Sequence, residues 1–403
     1  MPARQTATKI VSKLQNSRHE AYFAGGWVRD FLLGLPSDDI DIATSASIEE
    51  IQALFPKTIP VGVAFGIVIV VEEDRHFEVA TFRKEMEYLD GRRPTRIEKA
   101  SKEEDALRRD FTINGMFFDP IKEELLDFVE GKADLKKGLV RAIGDPHSRF
   151  LEDRLRMIRA VRYAVRFNFT IDPATESAIL DHASALFPSV AIERVWQEFL
   201  KLSRFATFSK GLKTLYRLRL LQTVFPSLQE ISEAEIERRL SIFPLFPIET
   251  PLIVELAQLF PDDPLEKHLE LCDYMKVSRK EKEHIEFLHR AKSLLSMPLE
   301  WQKGISDYDW ALFYADPLSD LFLKIYNSPV FHTIKKEELS VHIGRIREKK
   351  PFLVSKDLIA EGIAPGPALG LLLKEGEKLS VNLKIDDKKL LIEALRKGPL
   401  WPK

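Results

Sequence analysis

The pattern of apolar and polar positions divides the chain into an α/β first third and a helical remainder. Ala7 to Leu14 reads as a helix, leading into a strand that ends at Ala24, and Trp27 to Leu33 reads as a short helix. Ser37 to Thr44 alternates as a strand does. Side chains two apart on a strand share a face, so Asp39 and Asp41 point one way while Ile40 and Ile42 point into a core. Ile48 to Phe55 is a helix with Ser45 or Ser47 as its N-cap. Val61 to Val71, a β-branched run with Gly62 and Gly66, reads as one buried strand, and His76 to Phe82 as another with Glu78 and Ala80 on one face. Arg83 to Glu104 is charge-rich without a clean period, and Asp90-Gly91-Arg92-Arg93-Pro94 reads as a turn or flexible loop. A short hairpin follows, with Asp119, Asp127 and Gly131 around it.

From about 136 onward the reading is helical. Leu151 to Phe167 is expected as one continuous helix. Met157, Ile158, Val161, Ala164 and Val165 form its buried face, with Arg159, Arg162 and Arg166 in a stripe opposite. On such a helix Asp153 and Arg156, three apart, are neighbours on a third edge. Residues 200 to 403 are helical patterns broken by proline, and Pro226, Pro244, Pro247 and Pro251 mark a boundary region. Asp357 to Gly370 reads as a helix, a glycine stop and a helix opened by proline.

A chain of 403 residues exceeds one ordinary domain. With 45% hydrophobic and 30% charged residues it has a globular composition, and no apolar run reaches membrane-spanning length. Met1 to Arg18 has no apolar core of a secretory signal. The single Cys272 excludes an internal disulfide and a cysteine-based zinc site. A cytoplasmic protein is expected. The net charge of −2 rules out a globally basic surface, so any nucleic-acid footprint must be local. From Arg141 to Phe167 there are seven arginines and three acids.

Two carboxylates on one strand face repel each other unless a cation sits between them. Mg²⁺ takes oxygen ligands and commonly uses one or two carboxylates with substrate phosphates. Asp39 and Asp41 thus suit a two-metal platform for phosphoryl or nucleotidyl transfer. Just upstream, Gly25 and Gly26 let backbone N–H groups approach a phosphate, and Arg29 adds a positive fork.

Gly25-Gly26-Trp27-Val28-Arg29-Asp30 followed by Asp39-Ile40-Asp41-Ile42-Ala43-Thr44 resembles the class II nucleotidyltransferase superfamily. That superfamily comprises bacterial CCA-adding enzymes, their A-adding and CC-adding variants, and bacterial poly(A) polymerases. Arg108-Arg109-Asp110-Phe111-Thr112-Ile113-Asn114 resembles its long arginine-rich signature, and Glu152-Asp153-Arg154-Leu155-Arg156 its nucleotide-selecting motif. The resemblance implies a polymerase β-like mixed-sheet head (1–135), then an all-α neck (136–200), body (201–275) and tail (276–403). It implies Asp39, Asp41 and Glu78 as the catalytic carboxylates, with two Mg²⁺ ions on Asp39 and Asp41. Gly25, Gly26, Arg29 and Arg109 would bind the triphosphate, Asp153 and Arg156 would select the base, and Arg159 and Arg162 would support the triphosphate or primer end. Asp110 and Asn114 would brace the site, and Glu193 and Arg194 would form a buried structural pair. The segment around Asp90 falls where the family carries a mobile loop. Pro365-Gly366-Pro367 resembles an element of the RNA-binding tail. The implied activity is addition of CCA, or part of it, to the 3′ end of tRNA from CTP and ATP. A-adding and poly(A)-polymerase readings stand beside it, and more distantly a non-catalytic RNA-binding protein on the same fold.

Overall fold

The computed structural model describes residues 2–62, 66–88, 94–326 and 330–402. It divides into two compact units, Met1–Pro244 and Leu245–Lys403, and the division falls in the stretch marked by prolines.

The first unit starts with α1 (Ala3–Asn16), whose Ala7, Ile10, Val11 and Leu14 are fully buried at helical spacing. Next come β1 (Ala21–Ala24), α2 (Gly26–Leu32), β2 (Asp41–Thr44), α3 (Ile48–Leu54), β3 (Thr58–Gly62), β4 (Ile67–Glu72) and β5 (Arg75–Thr81). With β8 (Phe117–Asp119) and β9 (Glu124–Leu126), five of these make a seven-stranded mixed sheet in the order β3-β4-β5-β2-β1-β8-β9. Only the β2–β5 pair is parallel. One face carries Phe23, Ile42, Val79, Val68 and Val70, all buried. Ser47 begins α3 through a reciprocal cap: its side chain accepts from Glu50 N–H and its own N–H donates to the Glu50 carboxylate.

Three expectations change here. The strand carrying the aspartates begins at Asp41, so Asp39 lies on the segment leading into it, although Ile40 and Ile42 are both buried as expected. The run from Val61 to Val71 is not one strand. β3 ends at Gly62 and β4 begins at Ile67, and the two pair antiparallel, Ile59 opposite Ile69. Gly66 sits at φ +68°, a conformation that suits glycine at such a reversal. The described residues of the stretch from Arg83 to Glu104 also form regular elements. β6 (Arg83–Tyr88) and β7 (Pro94–Lys99) form a two-stranded hairpin, followed by α4 (Lys102–Leu107), which Ser101 and Glu104 cap reciprocally. A two-stranded sheet of its own has little core to fill, so its sequence need not alternate. The expected loop tip at Asp90 to Arg93 lies outside the described residues.

After α5 (Gly131–Lys137) come α6 (Pro146–Glu152), α7 (Leu155–Phe167), α8 (Pro173–His182) and α9 (Ile192–Ser203). The expected continuous helix is therefore two helices, interrupted at Asp153 and Arg154. The second unit is helical throughout its described residues. There Ser355–Ile359 and Pro367–Asn382 are separate helices, with Gly362 at φ +89° between them and Pro367 in the first turn of the second. They pack around Leu353, Leu358, Leu372 and Leu395. Among the described residues no helix is long and apolar enough to cross a membrane.

Candidate active site

A cavity of about 700 Å³ opens in the first unit between α2, the start of β2, the Arg108–Asn114 segment and α7. Among the described residues nine arginines and five aspartates line it, so its wall carries an excess of positive charge. Of the residues expected at the site, Gly25, Gly26, Arg29, Asp39, Asp41, Arg109, Asp153, Arg156, Arg159 and Arg162 all line this cavity. Glu78 does not line it. It is exposed on β5, where Ile42 pairs with Val79, so Glu78 stands beside Asp41 on the neighbouring strand.

The carboxylates are close enough to feel one another. Burial and the neighbouring Glu78 and Asp39 charges push the Asp41 carboxyl up to about 6, with Arg109 opposing them. Among the described residues no group of three or more His, Cys, Asp or Glu side chains is arranged to hold a metal ion.

Gly25 sits at φ +66°, and a Cβ there would lie 3.0 Å from Arg109 Nη1 and 3.8 Å from Asp41 Oδ2. The backbone thus passes close to both an arginine and a carboxylate of the cavity. Arg29 is almost wholly buried. Its Nε and Nη2 donate to Asp30 Oδ1 at 2.9 and 2.7 Å, and its Nη1 donates to Asn114 Oδ1 at 2.5 Å. A guanidinium has five N–H donors, so two remain once these three bonds are made. Its plane lies 4.6 Å from the ring centre of Phe167 and 5.1 Å from that of Tyr163, both on α7.

From Asn114 the network continues. Asn114 Nδ2 donates to Asp110 Oδ1 at 3.0 Å, and Arg159 donates to Asp110 Oδ2 from Nε at 2.9 Å and from Nη2 at 2.6 Å. Burial alone would raise the Asp110 carboxyl, but Arg159 and Asn114 outweigh it and hold it down to about 2. A second branch runs from Asp30 Oδ2 to Arg166 Nη2 at 2.9 Å. Arg162 Nε donates to buried Glu198 on α9 at 2.5 Å. The arginine stripe of α7 is therefore not a solvated face, since Arg159, Arg162 and Arg166 each hold a carboxylate. On the other wall, buried Asp105 accepts from Arg108 Nε at 2.8 Å, from Arg109 Nη2 at 3.0 Å and from Arg83 N–H at 3.3 Å.

Asp153 and Arg156 both reach the cavity, but not from one helix edge. Asp153 has extended backbone at the end of α6 (φ −149°, ψ 102°). Its Oδ1 accepts from Leu155 N–H at 3.1 Å, capping the first turn of α7. Arg194 then grips both its oxygens, Nη1 to Oδ1 at 3.1 Å and Nη2 to Oδ2 at 2.7 Å. Arg156 pairs with Glu152 and donates to the Arg149 carbonyl at 3.0 Å. The expected buried Glu193–Arg194 pair is corrected as well. Glu193 is exposed, and the carboxylate partner of Arg194 is Asp153. Neighbours on a helix diverge by about 100°, so consecutive residues do not face each other.

Sequence reading passed over Asp30, Asp105, Glu198 and the cavity role of Arg194. The spacing Arg194-x-x-x-Glu198 is a usable signal, because i and i+4 share a helix face. Asp105, three and four residues before Arg108 and Arg109, carries a similar one.

The family described as poly A polymerase head domain matches residues 21–141, and that described as probable RNA and SrmB-binding site of polymerase A matches residues 168–231. A CCA-adding enzyme of Ligilactobacillus salivarius is 34% identical over 407 residues, covering 97% of this chain and 96% of that one. The crystal structure of the Bacillus stearothermophilus CCA-adding enzyme in complex with CTP superposes with a TM-score of 0.78 at 27% identity, covering 98% of each chain. A Thermotoga maritima CCA-adding enzyme complexed with tRNA shares the fold, with a TM-score of 0.66 at 21% identity over 97% of this chain and 94% of that one.

Proposed function

The chain belongs to the CCA-adding enzyme family, and we propose that its arginine-lined cavity is a nucleotidyltransferase site that adds C, C and A to the 3′ end of tRNA from CTP and ATP. The observation that carries this reading is the juxtaposition of Asp39 and Asp41 with nine arginines and Asp153 around one cavity. A triphosphate is a polyanion, and such a wall favours it through fixed, forked donors.

In the reaction the terminal 3′-oxygen of the RNA bonds to the α-phosphorus of the nucleotide. The bridging bond to the β-phosphate breaks, pyrophosphate leaves with that electron pair, and the hydroxyl proton is released. Arg29, Arg109, Arg159 and Arg162 hold the phosphates through donors not used within the protein. Gly25 and Gly26 let the backbone come close to the same phosphates. Asp153 and Arg156 read the base edge, and neither is exhausted by its internal bonds: a carboxylate has about four acceptor sites and a guanidinium five donors.

The donor set also suits Mg²⁺. Asp39, Asp41 and Glu78 are oxygen ligands, and among the described residues none of them forms an ion pair with a lysine or arginine. Asp39 and Asp41 would hold the ions with Glu78 beside them. The bound metal supplies neutralisation of the triphosphate and acidification of the attacking hydroxyl. A cytoplasmic location and a head, neck, body and tail at 1–135, 136–200, 201–275 and 276–403 belong to the same reading.

The test offers tRNAs ending at the unpaired base before CCA, at C and at CC, each with CTP or ATP, with and without Mg²⁺. Stepwise addition of C, C and A that needs Mg²⁺ is expected. Addition of A alone, or of long A tracts, would replace CCA addition by the A-adding or poly(A) reading.

A further inference from the structure

We propose that Trp27 is a positioning residue for Asp39: its indole N–H holds the segment that brings this carboxylate to the cavity. This rests on the reading that Asp39 is one of the carboxylates at the site of transfer. The starting point is where Asp39 lies. β2 begins at Asp41, so no strand pairing fixes Asp39, and the residue is exposed. Pro36 to Ile40 have neither helical nor strand backbone. An exposed carboxylate on such a stretch wanders unless something else holds the chain, because each unfixed residue keeps its backbone entropy.

Two fixed points bracket Asp39. Downstream, Ile40 is buried and Asp41 pairs with Ala24 across β1 and β2. Upstream, Trp27 Nε1 donates to the Ser37 carbonyl at 3.1 Å. Among the described residues this is the one hydrogen bond made by any residue from Pro36 to Asp39. Asp39 stands two residues from Ser37 and two from Asp41, and two residues span at most ~7 Å. With Ser37 held, the chain has little slack between these points. With Ser37 released, Asp39 hangs from its downstream side alone.

The latch is itself rigid. Trp27 is 5% exposed. Its ring lies parallel to that of Phe31 with centres 5.0 Å apart, and it meets Phe23 of β1 edge-on at 4.9 Å. Phe118 of β8 lies 6.1 Å away. An indole so enclosed has no open face on which a base could stack, although it borders the cavity. What it offers is its N–H, the side chain's single polar group, which a buried indole gives to an acceptor. Trp27 also shares α2 with Arg29, whose side chain lines the same cavity. One short helix thereby sets a guanidinium expected at the phosphates and, through Ser37, a carboxylate expected at the reacting end.

The experiment uses Trp27→Phe, which keeps an aromatic ring in the cluster and removes the N–H, in the wild-type and Asp39→Ala backgrounds. Mn²⁺, a paramagnetic stand-in for Mg²⁺, is titrated into the RNA-free protein, and the free ion is followed by electron paramagnetic resonance. In parallel, kcat and the KM for CTP are measured on tRNA lacking its 3′ CCA. Trp27→Phe is expected to raise the Kd for Mn²⁺ about tenfold and to lower kcat about tenfold, with the KM for CTP within about twofold, as suits a small misplacement of one group. In the Asp39→Ala background the same change should alter Mn²⁺ binding by less than about twofold, because the group it positions is gone. Unchanged Mn²⁺ affinity in Trp27→Phe overturns the proposal. So does an equal loss in both backgrounds, which would mean that the ring acts through the fold. A matching rise in the KM for CTP would assign the ring to nucleotide binding and overturn it as well. If Trp27→Phe lowers the melting temperature, the titrations are repeated with benzothienylalanine at position 27. That residue keeps the bicyclic shape and carries sulfur in place of the N–H, and wild-type Mn²⁺ affinity in it overturns the latch. Failure of the underlying reading looks different: Asp39→Ala alone would then bind Mn²⁺ and turn over as the wild type does, whereas failure of the latch alone leaves Asp39→Ala impaired in both.

Discussion

Asp110 and Arg159 are joined by two hydrogen bonds, 2.9 and 2.6 Å long, and through Asn114 the same carboxyl group is tied to Arg29. One buried carboxylate thus sets the position of two arginines that come from different elements, α2 and α7. Removing it leaves Arg159 with Glu198, 3.8 Å away, as its remaining counter-charge. Asp110→Ala is expected to lose ~2 kcal/mol of stability, less than the usual cost of breaking a buried pair from one side, because Arg159 keeps that second carboxylate. The KM values for CTP and ATP should rise together, because phosphate binding is disturbed before base choice. The folded carboxyl titrates at about 2, below its ordinary value of 3.8. The unfolded chain therefore takes up the proton first as pH falls. The contribution is complete above about pH 4 and is lost toward pH 2, ~2 kcal/mol in all. Urea melts of wild type and Asp110→Asn between pH 7 and pH 2.5 should converge at the acid end.

Arg194 holds both oxygens of Asp153, so it governs how the proposed selector faces a base. Arg194→Gln should increase UTP and GTP incorporation relative to CTP and ATP, as Asp153→Ala should, while triphosphate affinity changes less. The two changes together should be no worse than Asp153→Ala alone, which a double-mutant cycle on misincorporation ratios will measure. A uniform fall in rate with unchanged preference would make the pair scaffolding.

For Asp39 and Asp41, alanine substitution should lower turnover by at least ~10²-fold, the loss expected for a missing electrostatic element. Folding stability should hold or rise, because Asp41 is pushed up to about 6 by burial and by Glu78 and Asp39. Single-turnover addition and thermal melts separate the two effects. Turnover above about a tenth of wild type in either variant would contradict the assignment.

The fold class and most cavity residues were legible because they rest on short-range pattern. Alternation gave the buried Ile40 and Ile42, and the motif order brought Gly25, Arg109 and Asp153 to one wall. What stayed hidden depends on tertiary pairing. Periodicity could not place the break at Asp153, since a helix interruption costs no apolar position: Met157, Ile158 and Val161 keep their spacing on either reading. The partner of Arg194 lies 41 residues away on another element. Nor could composition reveal that the α7 arginines are neutralised internally, because Asp30, Asp110 and Glu198 come from three distant segments.

Glu255 gives a pH dependence of the opposite sign. It lies on the helix Leu252–Ala257, every residue of which is buried. Burial pushes its carboxyl up to about 8 from an ordinary 4.5. The folded state therefore holds a proton that the unfolded state releases, and stability falls as pH rises from about 4.5 to 8. Below that window Glu255→Gln should be near neutral. At pH 8.5 it should stabilise the protein by up to ~5 kcal/mol, seen as a higher melting temperature. Equal melting shifts at pH 5 and pH 8.5 would contradict a buried neutral acid.

Gly25 and Gly26 are adjacent and both expected at the phosphates, yet the structure separates their roles. Gly25 has φ +66° and ψ −129°, a region essentially restricted to glycine, and any side chain there costs ~1–3 kcal/mol. Its added Cβ would also stand 3.0 Å from Arg109 Nη1. Arg109 cannot simply swing aside, because Asp105 holds its Nη2 at 3.0 Å and its plane lies over Phe117. Gly25→Ala should therefore lower the melting temperature and raise the KM for CTP and ATP. At Gly26 the backbone is helical and the nearest atom to an added Cβ is Arg29 Nη2, an ordinary 3.5 Å away. Gly26→Ala should leave stability unchanged or slightly improved, since alanine is the better helix former. Any rise in nucleotide KM in that variant then reports the loss of close phosphate approach alone. Isothermal titration with CTP, alongside thermal melts of both variants, gives the two quantities independently. A destabilised Gly26→Ala with an unaffected Gly25→Ala would reverse the assignment of strain and approach between these two positions.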